Sequence, residues 1–320
     1  MSDLTMPQRA LGETDLMVSP LCLGLGNWGS NLAGESAVAL LDTFLSAGGN
    51  FVDTAHCYGF WGTGGVGASE RELGAAMGAL GCRERLVIAT KGGHPACAGG
   101  YQRPDAYLSP EVLASDVSES LERLGTDWID LYLLHRDDRR VPVGEIIEAL
   151  NSHVALGQLR HLGASNWSVE RIAAANEYAT VHGLRGFGVS QVHFSLADPT
   201  WPVTDDPTMR TMTPEMLAWH AETRLPVMGY ASSAGGFFAG RASAEAGYGT
   251  LGNFARRERA QALAAELGAT PAQVALAYLL AQPFPTFPIV GTLNAEHLCE
   301  AVGSTRLELT EEQARWLRDG

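Results

Sequence analysis

The chain alternates short apolar runs with helical segments, and it does so eight times in 320 residues. Each apolar run has the length of a buried strand rather than of a helix. The predicted strands are Val18–Leu23, Asn50–Asp53, Leu86–Thr90, Ile129–Leu134, Leu159–Gly163, Gly186–Gln191, Pro226–Gly229 and Thr286–Val290. Eight alternations in a chain of this length predict an α/β fold, a single-domain (β/α)8 barrel over residues 1–320.

The segments between these strands carry the periodicity and the boundary signals of helices. One apolar stripe consists of Ala37, Leu40, Leu41, Phe44 and Leu45, and another of Val143, Ile146, Ile147, Leu150 and Val154. Ser109-Pro110 and Thr270-Pro271 each place a capping hydroxyl before a proline, which predicts helix starts. The interval between Gly229 and Thr286 exceeds one crossover, so we expect a loop and an extra helix around residues 231–268.

Composition limits the class of partner and the compartment. The formal net charge of −14 leaves no electropositive surface for nucleic acid or an anionic membrane. The five cysteines are odd in number and never form a CxxC pair, which argues against disulfides and structural zinc. No signal peptide and no apolar run of about 20 residues is present, so we expect a cytoplasmic protein. The oligomeric state does not follow from the sequence.

Polar side chains stand where three successive strands end, which is where a barrel of this type carries its chemistry. Asp53 ends the second strand and is followed by Tyr58; Lys91 ends the third and His135 the fourth. Taken alone, each has a structural explanation: a turn cap, a loop aromatic, a solvated lysine, a histidine at the edge of the core. Their joint placement favours one site.

These four side chains suit the delivery of a proton to a carbonyl oxygen. Tyr58 would give the proton, and the Lys91 ammonium should lower the phenol's pKa from about 10. Asp53 would keep Lys91 charged and in place. His135 would donate a hydrogen bond to the substrate oxygen.

The sequence resembles the aldo-keto reductases along nearly its whole length. The motifs that carry the resemblance are DTAHCYG with SERELG, VIATK, SLERLGTDWIDLYLLHR, LGASNW, VSQVHF and PIVGT. The resemblance implies a (β/α)8 barrel and reversible hydride transfer between NAD(P)H and an aldehyde or ketone. It assigns Asp53, Tyr58, Lys91 and His135 to the catalytic tetrad.

The resemblance also implies a set of cofactor contacts. Ser165, Asn166 and Gln191 should hydrogen-bond the nicotinamide carboxamide, and Tyr230 should stack under the ring. The run from Ala231 to Gly240, with Ala231, Ser232 and Gly235, should bring backbone amides to the pyrophosphate. Beyond the eighth strand, the expected contacts are Gly291, Thr292, Asn294, His297 and Glu300, the last facing the adenine. We expect NADP(H) to be preferred and leave NAD(H) open.

One glycine motif points elsewhere. Residues 24–29, GLGNWG, satisfy the GxGxxG pattern of a Rossmann dinucleotide site, but residues 30–34 intervene before helical periodicity begins. In the barrel interpretation, Gly26, Asn27 and Trp28 line the mouth instead, the first two beside the cofactor.

For the substrate, aromatic residues in predicted loops indicate an apolar-walled pocket. They are Trp28, Trp61 and Trp167, with Phe194 and Trp201. The charged run Arg136, Asp137 and Asp138 after His135 suggests a polar rim that accepts a sugar-like carbonyl compound.

Three other classes remain for comparison. A metal-dependent hydrolase is disfavoured, because His56, His94 and His193 show no HxH or HxxEH spacing, and we expect no metal. A regulatory subunit of the same fold would bind nucleotide with negligible turnover. A Rossmann dehydrogenase would require the glycine motif to bind cofactor.

Overall fold

Eight parallel strands close into a barrel in the computed structural model, which describes residues 5–97, 100–200 and 208–320. The barrel strands are β3 to β10, and β10 pairs with β3 to close the ring. Together with a short N-terminal hairpin the strands are β1 Arg9–Ala10, β2 Met17–Val18, β3 Cys22–Gly24, β4 Phe51–Asp53, β5 Val87–Gly92, β6 Ile129–Leu134, β7 Leu159–Ser165, β8 Phe187–His193, β9 Val227–Tyr230 and β10 Thr286–Val290. The predicted barrel is confirmed, and each predicted strand overlaps one strand of the barrel.

The first predicted strand, Val18–Leu23, is wrong in one respect, because it divides into two elements. β2 pairs antiparallel with β1, and β3 begins four residues after β2 ends, at Cys22. Pro20 lies between them and has no N–H to contribute to a ladder. The hairpin was not predicted. Its Leu11 and Leu16 pack with Phe287 and other barrel residues, so it belongs to the core that fills the barrel.

The helices follow the barrel strands and cover them. They are α1 Glu35–Ser46, α2 Ala68–Leu80, α3 Pro110–Leu124, α4 Val143–Ala155, α5 Val169–His182, α6 Pro214–Thr223, α7 Glu245–Tyr248, α8 Leu251–Leu267, α9 Pro271–Leu280, α10 Ala295–Gly303 and α11 Glu311–Asp319. The stripe predicted for the first helix is the buried set of α1. Ser109 caps α3, and Thr270 and Gln273 form a capping box on α9. These local signals therefore fix where the helices begin.

The expected insertion lies between β9 and α9. It contains a 3-10 segment at Ala234–Ala239, the short helix α7 and the long helix α8. Within the described residues, no single helix has the length and apolarity of a membrane span; α8 and α9 reach that composition only when joined across a bend of 96°.

Candidate active site

The four predicted catalytic residues converge at one end of the barrel. Asp53 is the last residue of β4, Lys91 lies in β5, and His135 directly follows β6. Tyr58 lies in the turn between β4 and α2. Because these strands are parallel neighbours, their carboxyl ends bring the four side chains together.

Lys91 is the centre of the cluster and is fully buried. Its Nζ donates hydrogen bonds to Asp53 Oδ2 at 2.7 Å, to the carbonyl of Thr54 at 2.8 Å and to Tyr58 Oη at 3.1 Å. An ammonium group has three donors, so all three are used. Lys91 is also the only lysine in the sequence. The three bonds therefore fix the position of the ammonium group, with one of its N–H groups pointing at the phenol oxygen.

The pKa of Tyr58 is raised rather than lowered, which corrects the sequence-based expectation. Burial raises it, and the Lys91 ammonium opposes that effect only in part because the Asp53 carboxylate also raises it. For Lys91, burial alone would lower the pKa, but Asp53 and Tyr58 outweigh it and raise the pKa above its usual value. At neutral pH the pair is thus a protonated phenol beside a charged ammonium.

The donated bond decides where the Tyr58 proton points. Since Lys91 fills a lone pair of Tyr58 Oη, the phenol's own hydrogen is directed away from Lys91. The Tyr58 ring stands edge-on to His135, with centroids 5.6 Å apart. A substrate oxygen between these two side chains would meet two donors.

His135 is held as a neutral imidazole. Burial lowers its pKa well below the usual value, and the neighbouring His94 and Arg136 lower it further. Its Nδ1 lies 3.5 Å from Cys57 Sγ, and burial raises the pKa of that thiol to about 12. A thiol that keeps its proton can donate to Nδ1, which leaves the single ring proton of His135 on Nε2.

The turn that carries Tyr58 is fixed by buried polar contacts from the SERELG segment. Ser69 Oγ bonds Thr54 Oγ1 at 2.7 Å, and Glu70 accepts from Thr90 Oγ1 at 2.6 Å. Arg123 of α3 bonds both Glu70 and the carbonyl of His56. In the sequence this motif carries only the family resemblance, whereas in the structure it anchors the turn before Tyr58.

A cavity of about 370 Å³ opens beside the tetrad. Its lining combines aromatic and sulfur-containing side chains with polar groups from strand ends and the loops that follow them: Cys57, Tyr58, Phe60, Trp61, His94, Cys97, His135, Arg136, Ser165, Asn166, Gln191, Met209 and Tyr230. Trp61 is 49% exposed, as expected for a residue at the mouth. Of the predicted polar rim, Arg136 alone lines the cavity; Asp137 pairs with Arg171 and Asp138 with Arg140.

Two of the three predicted substrate tryptophans do not lie on this cavity. Trp28 and Trp167 are fully buried in the main hydrophobic core, and Trp167 packs edge-on against Phe187. Phe194 is also buried, in the second core cluster. Trp201 lies outside the described residues. The predicted aromatic wall is therefore wrong at Trp28 and Trp167, whose rings follow strands but point into the core.

The expected nicotinamide contacts form one connected group at the cavity wall. Asn166 has a left-handed backbone, with φ 62°, and its Oδ1 accepts from Tyr230 Oη at 2.8 Å. Its Nδ2 donates to Ser165 Oγ at 3.0 Å. Gln191 Nε2 donates to Asp53 Oδ1 at 2.8 Å, which ties this group to the tetrad. Strain at a non-glycine residue of this kind is typical of functional sites.

A second cavity, of about 450 Å³, lies beyond β9 and β10. Gly235, Gly291, Thr292, His297 and Glu300 line it, together with Arg241. Tyr230 on the first cavity and Ser233 on the second are three residues apart along the chain. An elongated dinucleotide that passes this connection would reach both cavities.

Other predicted contacts are occupied within the protein. Ser232 is fully buried and donates its hydroxyl to the carbonyl of Ile289 at 2.6 Å. Asn294 caps α10 by accepting from the amides of Glu296 and His297. Glu300 Oε1 accepts from Thr270 Oγ1 at 2.7 Å. The side chains of Ser232 and Asn294 therefore hold the loop and the helix rather than face the second cavity.

The remaining positions bear on the alternatives. Gly26 approaches the Tyr58 ring, Asn27 is exposed, and Ala231 has a left-handed backbone, with φ 54°. Gly24 ends β3, and α1 begins only at Glu35, so the glycine motif does not open a helix. His56 and His193 point away to Glu119 and Tyr248. The Rossmann alternative is thus inconsistent with the fold.

Comparison with known proteins finds one family model and several oxidoreductase relatives that match most of the chain. The model of the Aldo/keto reductase family matches residues 20–319. An uncharacterized oxidoreductase, YrpG, of Bacillus subtilis is 33% identical over 97% of this chain and 94% of its own length. The norsolorinic acid reductase stcV of Emericella nidulans is 31% identical over 95% and 78%, respectively.

Two further matches are partial or structural. A 6-dehydroglucose reductase of Novosphingobium aromaticivorans is 38% identical over 56% of this chain and 58% of its own length. The crystal structure of a thermostable aldo-keto reductase, Tm1743, bound to the inhibitor epalrestat, aligns with a TM-score of 0.74 and 24% identity, covering 98% of this chain and 99% of that one. The last match bears on the fold alone.

Proposed function

The chain belongs to the aldo/keto reductase family and is an oxidoreductase, and from this premise we propose that it is an NAD(P)H-dependent enzyme that reduces an aldehyde or ketone to an alcohol with Tyr58 as proton donor. One observation carries the proposal. The Lys91 ammonium, neutralised by Asp53, donates to Tyr58 Oη beside an open cavity. A purely structural ion pair would not need a phenol between its ammonium group and the cavity.

Each residue of the site has a separate role in the proposed reaction, set by its position. When bound, a nicotinamide dinucleotide would supply the hydride for the carbonyl carbon. Tyr58 gives its proton to the carbonyl oxygen, and the phenolate that remains is stabilised by Lys91 until solvent reprotonates it. His135 donates from Nε2 to the same oxygen and so fixes its position. Asn166 and Gln191 would hold the carboxamide end of the nicotinamide.

The two cavities support a dinucleotide of this size and chemistry. Small residues, among them Gly235 and Gly291, leave room for the pyrophosphate, and Arg241 provides positive charge at the second cavity. We propose that NADP(H) is preferred, with Arg241 and His297 near the 2′-phosphate and Glu300 at the adenine. Thr292 and the backbone of Ala231 would add contacts between them.

For the substrate, we propose a sugar-like carbonyl compound. Arg136 adds a charged group to the polar side chains of the cavity wall, and one relative is named a 6-dehydroglucose reductase. Another relative is named a norsolorinic acid reductase, so a compound that is not a sugar is the alternative. Activity with aldoses and ketoses comparable to that with aromatic carbonyls would support the sugar class. Rates dominated by aromatic substrates would exclude it.

The deciding experiment measures binding and turnover separately. Nicotinamide fluorescence titration with NADPH and NADH should show saturable binding, tighter for NADPH. Cofactor consumption over a carbonyl panel should then show turnover. Tight binding with negligible turnover across the panel would instead support the regulatory-subunit alternative.

We also propose a cytoplasmic location, supported by the five cysteines, none of which forms a disulfide.

A further inference from the structure

Three metal-binding side chains meet on the wall of the substrate cavity. Cys57 follows β4, His94 follows β5 and His135 follows β6. All three are buried, and one donor atom from each lies within 4.8 Å of the others. In the proposed reaction His135 is a donor and Cys57 positions its ring, so the reaction does not explain why His94 lies beside them.

The separation of the donors fits a tetrahedral metal ion. A zinc ion with Zn–S of about 2.3 Å and Zn–N of about 2.0 Å sets its sulfur and nitrogen ligands about 3.5 Å apart. Cys57 Sγ and His135 Nδ1 are 3.5 Å apart. The rings of His94 and His135 have centroids 4.7 Å apart. Small side-chain rotations therefore suffice to point the three donors at one centre.

The surroundings of His94 resemble those of a metal-binding histidine. Its Nδ1 lies 2.8 Å from the carbonyl oxygen of Pro95, which can only accept, so Nδ1 carries the ring proton. The lone pair is then on Nε2. Ligating histidines usually donate their other N–H to a carbonyl or carboxylate in this way, which fixes the tautomer.

We propose that Cys57, His94 and His135 form a binding site for Zn²⁺ or a similarly thiophilic divalent cation, and that its occupation inhibits carbonyl reduction. One thiolate and two imidazoles match Zn²⁺ and do not match Mg²⁺ or Ca²⁺, which prefer oxygen. On binding, the Cys57 thiol releases its proton to solvent and the two rings give lone pairs, with no change of oxidation state.

Inhibition follows from the place of the site and rests on the proposed function. The three residues line the same cavity as Tyr58, and three protein ligands leave a fourth position open. A cation with a water there takes up part of the cavity volume that the substrate needs, even though it binds Nδ1 of His135 and not the Nε2 that donates to the substrate oxygen. We expect inhibition by Zn²⁺ that is competitive with the carbonyl compound, with no effect of Mg²⁺ at the same concentration.

The binding test does not depend on turnover. After chelator treatment, Zn²⁺ is titrated into the protein in competition with a chromophoric chelator, and Co²⁺ is added to a parallel sample. We expect one ion per chain and, with Co²⁺, a thiolate-to-metal charge-transfer band. Cys57→Ala should abolish the band and, like His94→Gln, weaken Zn²⁺ at least about tenfold. Cys82→Ala, which removes another buried thiol, should change neither.

Several outcomes would overturn the proposal. They are the absence of stoichiometric Zn²⁺ binding, an affinity unchanged in both His94→Gln and Cys57→Ala, or Zn²⁺ that binds without raising the apparent KM. If Cys57→Ala fails to fold, His94→Gln alone decides the binding part. A protein that binds Zn²⁺ but reduces no carbonyl would instead contradict the proposed function and leave the metal site established.

Discussion

The Lys91 amine and the Tyr58 hydroxyl oxygen are 3.1 Å apart, and Lys91 is the donor. This direction leaves the phenol as the group with a proton to give. The same amine bonds Asp53, so the charge that stabilises the phenolate is paired before any reaction occurs. Tyr58 is thus the acid and Lys91 the residue that carries the stabilising charge, so a substitution at each position tests one of these two roles.

Replacing Tyr58 by Phe should slow carbonyl reduction about 10²- to 10⁴-fold, because the general acid is lost. Cofactor affinity, measured by fluorescence titration, should stay unchanged. Tyr178→Phe, on the outer helix α5, serves as the control and should retain wild-type rates. Near wild-type reduction by Tyr58→Phe would remove Tyr58 from the mechanism.

Lys91→Met should reduce both activity and stability. It leaves the Asp53 carboxylate buried without its partner, which costs about 3–5 kcal/mol of unfolding free energy in such pairs. Adding Asp53→Asn should recover much of that stability without restoring activity. Urea unfolding and steady-state rates of the two variants measure this. Equal stability of the single and double variants would contradict the buried-pair explanation.

Gly92→Ala should destabilise the barrel by about 1–3 kcal/mol. A Cβ there would overlap the hydroxyl of Tyr132 and lie 2.9 Å from the Asp116 carboxylate, and both neighbours are fully buried. Gly78→Ala is the matched control. Gly78 lies on the exposed side of α2, and no atom of the described residues comes within 4 Å of a Cβ placed there, so that change should stabilise by up to about 1 kcal/mol. Thermal unfolding compares the two.

Acid should destabilise the protein below pH 6.5, in part through His220. Burial lowers the pKa of His220 to about 4, whereas the unfolded chain has the usual value near 6.5. Between these values the unfolded chain binds a proton that the folded chain does not, so stability falls as pH falls. His220→Asn should lessen that slope by up to about 1.4 kcal/mol per pH unit.

The measurement is urea unfolding of both proteins from pH 7 to pH 4. His220 lies on α6, far from the tetrad in sequence, and its Nδ1 donates to the carbonyl of Leu225, a bond that asparagine can imitate. Parallel pH profiles of wild type and His220→Asn would show that His220 does not contribute.

The sequence predicts the barrel from its eight alternations of strand and helix, and it predicts the tetrad because Asp53, Lys91 and His135 stand at strand ends. A residue that ends a parallel strand, such as Lys91, reaches the same rim as one that ends its neighbour. The direction in which a side chain points in the loop after a strand cannot be predicted from its position in the sequence in the same way. Trp28 and Trp167 follow strands and turn into the core, whereas Trp61 reaches the cavity. Packing in the assembled core distinguishes the two outcomes.

The Cys57, His94 and His135 cluster could not be predicted from spacing. Its members are 37 and 41 residues apart in sequence, on three loops, and no short motif contains two of them. The raised pKa of Tyr58 was missed for a similar reason, since burial is a property of the assembled site. The single lysine, by contrast, is visible in the sequence and was a usable signal.

Because the chain has a single lysine, cleavage at that residue can report on whether the barrel is folded. A lysine-specific protease has one cleavage point in the chain, after Lys91, and that peptide bond lies inside a barrel stave. Digestion by such a protease should therefore proceed only through molecules whose barrel has opened, and its rate should follow the open population. Amine-directed labels on the native protein should likewise be confined to the chain's amino terminus.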